Sequence, residues 1–83
     1  MKKKRNRKTA AVDKAIGVKI RSRRQALGMP LRELADELGL TFQQVQKYET
    51  GASSISASRL LSVAEVLNCR PSALLPSASV RGR

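Results

Sequence analysis

The stretch LRELADELGLTFQQVQKYETG, from Leu31 to Gly51, leaves this chain few ways to fold. Leu31, Leu34, Ala35 and Leu38 recur at i, i+3, i+4 and i+7, the spacing of an apolar stripe along one helix. Gly39 follows at once, where a helix ends most cheaply in a left-handed residue. Thr41 then offers a side-chain oxygen to a free backbone N–H and so begins a second helix. The pattern carries that helix from Phe42 to Glu49 and stops it before Gly51. Two short amphipathic helices around a glycine turn must bury their stripes against other parts of the chain.

Those other parts are also helical by pattern. A helix is expected from about Asp13 to Leu27, with Asp13 near its positive end, where a carboxylate is favoured. Ile16, Ile20 and Leu27 make its stripe and Val12 extends it. Arg21, Arg23 and Arg24 fall in the last turns, and Gly28 ends it. Pro30 fits the first turn of the next helix because its missing N–H costs nothing there. Beyond Gly51, Ile55 and Ser56 read as a hydrophobic staple and N-cap, with Leu60 as the staple's partner. Leu60, Ala64 and Leu67 form the stripe of that fourth helix, flanked by Leu61 and Val63, and Asn68 is a left-handed terminator. A last helical turn is expected from Pro71 to Leu75. The fold class is therefore all-α, with about five short helices. Only two aromatics occur among 83 residues, Phe42 and Tyr48, and no alternating β-branched run suggests a sheet.

Eighty-three residues suffice for one small domain. The expected organisation is a basic flexible arm over residues 1–12, a helical domain over 13–76 and a polar tail over 77–83. The net charge is +11, and residues 1–8 hold six of the seventeen basic residues and no acid. A basic domain with a more basic arm suits a polyanion, above all nucleic acid. The arm fits a DNA-embracing segment, an import-signal-like patch or a solubilising tail, and composition leaves all three open. No basic amphipathic helix with a bulky apolar face points to a membrane surface. No apolar run reaches membrane-spanning length, and no signal-peptide core follows the start, so a soluble intracellular protein is expected.

Catalysis finds no support. Histidine is absent, the single cysteine, Cys69, excludes an internal disulfide and a cysteine-based metal site, and no strand precedes a glycine-rich loop. No metal, cofactor or small-molecule ligand is expected. Cys69 reads as a small apolar residue at a helix junction.

Helix geometry sorts the second helix of the pair. At about 100° per residue, with Val45 pointing inward, Thr41 and Glu49 lie within about 40° of it and Phe42 and Tyr48 at about 60° on either side. Gln43 and Lys47 point outward and Gln44 and Gln46 flank them at about 100°. The outer face is thus three glutamines and a lysine. A glutamine amide matches an adenine edge, and lysine suits guanine or a phosphate.

The ordered set Leu34-Ala35, Leu38-Gly39, Val45 and Glu49-Thr50-Gly51 resembles the helix-turn-helix of the phage repressor and Cro family, the XRE-type regulators. The resemblance covers most of Ile16 to Leu75. It implies a phage-repressor-like domain that binds double-stranded DNA and regulates transcription, repression being the simpler outcome. It further implies a homodimer on a near-palindromic operator with half-sites about 34 Å apart, in the cytoplasm of a bacterium or its phage, at the nucleoid. The family's groove-entering positions match Thr41, Phe42, Gln43 and Lys47, with Gln44 and Gln46 beside them. Phe42 stands where a polar reader is common, and either packs on a thymine methyl or turns into the core. Leu31 replaces a phosphate-fastening glutamine, and Tyr48 replaces an aliphatic core residue. Arg24 and Glu49 match a family ion pair, which would relieve the cost of an inward carboxylate. Arg24 is also a phosphate candidate, with Lys19, Arg32, Arg59 and, in the arm, Lys2, Lys3, Lys4 and Arg5. The rival readings are an antitoxin-like protein and an adaptor that uses this fold for protein contacts.

Overall fold

A computed structural model describes residues 6–76 as four α-helices followed by a short 3-10 turn, with no strand among them. Helix α1 spans Arg7–Ala26, α2 Leu31–Leu38, α3 Phe42–Thr50 and α4 Ala57–Val66, and the 3-10 turn η1 spans Pro71–Leu74. The all-α architecture is thus the expected one, with the last element wound tighter than an α-helix. Residues 1–5 of the expected arm and the whole 77–83 tail lie outside the described residues.

Local chemistry sets most boundaries. Thr41 Oγ1 accepts from the Gln44 N–H at 3.1 Å and Ser56 Oγ from the Arg59 N–H at 3.1 Å, so both cap the helices they precede. Gly39 ends α2 at φ 67° and Gly51 ends α3 at φ 82°, conformations that an L side chain resists. Asn68 takes the left-handed position after α4 at φ 54°. Pro30 stands one place earlier than expected, as the N-cap of α2, and no side chain caps that helix.

The start of α1 departs most from expectation. It begins six residues before Asp13, at Arg7, because Asn6 caps it: Asn6 Oδ1 accepts from the Thr9 N–H at 2.8 Å. Residues 7–12, expected in the arm, are helical. They carry no fully buried side chain, so the first turns of α1 overhang the packed domain. Val12 sits in this overhang at 43% exposure with no core to join, and Leu27 is 44% exposed because α1 ends at Ala26. Met29 is packed, half-buried, against the core after the turn. Asp13 is not at the helix end but in its second turn, buried, where it accepts from Ser54 Oγ at 2.5 Å and ties α1 to the α3–α4 loop.

One core joins all five elements: Ile16 and Ile20 of α1, Leu34 and Ala35 of α2, Val45 of α3, Leu60, Val63 and Ala64 of α4, then Leu67 and Leu74. α1 packs mainly on α3, α2 bridges α3 and α4, and η1 closes the far end against α1 and α4. Arg23 reinforces that end, its Nε donating to the Leu67 carbonyl at 3.0 Å and its Nη2 to the Asn68 carbonyl at 2.9 Å. A cation there satisfies carbonyls that the end of α4 leaves open. The result is a scaffold with α3 held along one side.

Candidate nucleic-acid interface

Three contacts fix α3. Val45 is fully buried beneath it. Gly17 of α1 lies against its last turn so closely that a Cβ there would overlap the carbonyl oxygens of Tyr48 and Glu49. Arg24 then grips the same turn: Nε donates to Glu49 Oε2 at 2.7 Å and Nη2 to Oε1 at 3.0 Å, while Nη1 donates to the Met29 carbonyl at 2.8 Å. The side chains are only 11% and 5% exposed. The hydrogen bonds to Glu49 hold the Arg24 guanidinium pKa above its ordinary value, with burial opposing and the carboxylate charge assisting, so the group keeps its charge. Three of its five N–H groups donate inside the protein, and Arg24 borders a depression with Arg21, Gln46 and Thr50, so the phosphate contact also expected of it would fall to the remaining two.

The outer side of α3 is left open. Phe42, Gln43, Gln46 and Lys47 are exposed, Gln44 and Tyr48 half-buried, and Thr41 exposed although its oxygen serves the cap. Phe42 does not turn into the core; it is 36% exposed with the Arg32 guanidinium 5.5 Å from its ring centre. That contact holds a cation at the start of α3. Arg59 is half-buried with Nη1 at 3.5 Å from the Leu38 carbonyl, beside the turn between α2 and α3. Lys19 is exposed about 200° around α1 from Gly17, the residue facing α3, so the fold does not bring it to the same side. Lys2, Lys3, Lys4 and Arg5 lie outside the described residues.

Two cations were not among the candidates. Arg21 lines a shallow depression with Leu31, Gln46, Thr50 and the Arg24–Glu49 pair, and Lys14 lines a second with Thr50 and Gly51. Their spacing from Arg7, seven residues at each step, is the sequence signal that points to them. Among the described residues no group of His, Cys, Asp or Glu is arranged to hold a metal, and no helix is long and apolar enough to cross a membrane. Cys69 is a half-buried free thiol.

Residues 20–74, covering α2, the turn and α3, match the model of the helix-turn-helix family HTH_3. The chain belongs to this family. An uncharacterised HTH-type transcriptional regulator of Sinorhizobium medicae (strain WSM419) is 45% identical over 62 residues, which are 75% of this chain and 45% of that protein. The HTH_3 chain described here spans about half the length of the curated relatives it matches. Among solved structures it resembles the restriction-modification controller protein C.AhdI of Aeromonas hydrophila, with a TM-score of 0.73, 28% identity and coverage of 76% of this chain and 96% of that one. It also resembles the DNA-binding domain of BldD, with a TM-score of 0.74, 25% identity and coverage of 81% and 97%.

Proposed function

We propose that this chain binds double-stranded DNA sequence-specifically and regulates transcription, with α3 lying in the major groove. The observation that carries the proposal is the outer face of α3. It is a rigidly held row of amides and one lysine, with no acid pointing outward and Arg32 stationed at its start. Gln43 and Lys47 are the central base readers, Gln46 and Gln44 flank them, and Thr41 and Phe42 meet the groove at the helix start. Phe42 offers its exposed ring to a thymine methyl. Arg32 and the N–H groups at the start of α2 serve phosphates, as does Arg59 where its guanidinium reaches past Leu38. The basic arm adds contacts that carry no sequence information.

In this reading the protein acts as a homodimer on a near-palindromic operator, in the bacterial cytoplasm, and represses by occupying a promoter. The regulators to which the chain is similar support the DNA-binding part of the proposal.

Selection from random duplexes, followed by the same selection with Gln43→Ala, tests it. The variant is expected to fold normally, because the side chain is exposed, and to lose about 1–3 kcal/mol of preference at one base pair of each half-site. An unchanged site would transfer the readout to Phe42 and Gln44. A wild-type chain with no sequence preference and no duplex affinity would favour the protein-contact readings instead.

A further inference from the structure

We infer that α1 carries a second DNA-contact track, in which Arg7, Lys14 and Arg21 follow the phosphates of one strand alongside α3. The inference rests on the DNA-binding reading and adds a surface to it. The three residues stand seven apart, two helical turns or about 10.5 Å per step. A seven-residue spacing drifts by only about 20° around a helix at each step, so they form a nearly straight row.

The side they occupy follows from Gly17, which marks the line of α1 that faces α3. Measured from it, Arg21 lies about 40° round, Lys14 about 60° and Arg7 about 80°, all in the same sense. Two of the three have neighbours that agree with this construction. Arg21 shares a depression with Gln46 and Thr50, and Lys14 shares one with Thr50 and Gly51. Gln46 and Thr50 are the edge of α3's outer face on that flank. Phe42 belongs to the same flank, and the Arg32 guanidinium lies over its ring. Cations therefore accompany α3 from its first residue to its last, and the row continues beyond it along the overhanging turns to Arg7.

Of the two buried acids beside this row, Asp13 accepts from Ser54, and Glu49, which borders the same depression as Arg21, is held by Arg24. A surface serving solubility alone would have no need to align its cations beside a base-reading helix. From Arg7 to Arg21 the row is about 21 Å long, the axial length of roughly six phosphates of one strand. Its partner is thus the backbone at the rim of the groove that α3 enters.

The test is a salt series, from about 50 to 200 mM KCl, on the duplex selected by the wild-type chain. It compares wild type with Arg7→Gln/Lys14→Gln/Arg21→Gln and with a far-face control, Lys8→Gln/Lys19→Gln. Each phosphate contact contributes about 0.9 to the slope of log affinity against log salt. The triple variant is expected to flatten the slope by about 2–3 units, to weaken selected and random duplexes by the same factor, and to leave the preferred sequence unchanged. The far-face control is expected to change the slope by much less per charge removed. Wild-type binding with an unchanged slope in the triple variant would overturn the track and leave the DNA reading standing. Equal flattening per charge by the control would also overturn it, since any cation would then serve. Wild type binding no duplex would overturn the DNA reading and the track together.

Discussion

Glu49→Ala is expected to lower the free energy of unfolding by about 3–5 kcal/mol, because it leaves the Arg24 guanidinium buried without its carboxylate. Both side chains are nearly covered and the pairing is bidentate, so solvent screening offers little relief. A domain of this size has roughly 5–15 kcal/mol in total. The variant should therefore be largely unfolded at a urea concentration that the wild type withstands. The Met29 carbonyl, which also accepts from Arg24, does not replace the lost charge. Replacing both partners with apolar residues of similar volume should recover part of the loss, because no charge is then left unpaired. Urea melts of the two single variants and the double variant make the measurement. Single effects below about 0.5 kcal/mol would mean that the pair opens to water in solution.

Gly17→Ala is the second large effect, and its sign is the informative part. Alanine in a helix interior is ordinarily better than glycine by about 0.5–1 kcal/mol. Here the added methyl would meet the carbonyl oxygens of Tyr48 and Glu49, with the Glu49 carbonyl carbon at 2.7 Å. Those are backbone atoms, and no side-chain rotation moves them aside, so α1 and α3 must separate. A net loss of about 1–3 kcal/mol is expected. The same shift displaces Glu49 from Arg24, so the variant should also bind duplex less tightly than its remaining folded fraction explains. A variant more stable than wild type would show that the two helices part at little cost.

The parts of this fold that were legible in the sequence are those decided within a few residues. Thr41 and Ser56 announce helix starts through their own side chains, and Gly39, Gly51 and Asn68 announce ends through the conformations they tolerate. The outward direction of Gln43, Gln46 and Lys47 needs only a helix period and the position of Val45. The contact between Arg24 and Glu49 came from the resemblance, supported by the cost of an inward acid. The start of α1 was legible in principle, since Asn6 is a strong N-cap and Ala10 and Ala11 favour helix. The charge run around them suggested disorder instead.

What was not legible depends on which elements meet. Asp13 looks like a residue favoured by the helix dipole until Ser54 is placed against it, 41 residues later. Gly17 looks like a weak point of α1 until the end of α3 is laid on it. Arg21 and Arg24 are alike in sequence and border the same depression, yet Arg21 is exposed while Arg24 is largely covered and bound to Glu49. Leu27 keeps the right spacing for the core, but the helix ends before it arrives there. Periodicity assigns a direction to a side chain and does not say how far the neighbouring elements extend.

The overhang of α1 has an electrostatic consequence. Its first turn holds Arg7 and no acid, and Lys8 follows directly, so cations sit at the end of the helix where the macrodipole is already positive. In the free protein the Asn6 cap sustains that turn against an unfavourable field. Beside phosphates the Arg7 charge becomes favourable, and helix order and duplex occupancy are then linked equilibria, each shifting the other by the same free energy. Amide exchange makes the linkage visible. Residues 7–12 should exchange faster than residues 16–20 in the free protein and slow when duplex is added. That protection should fade as salt rises, with the dependence steepest at the Arg7 end.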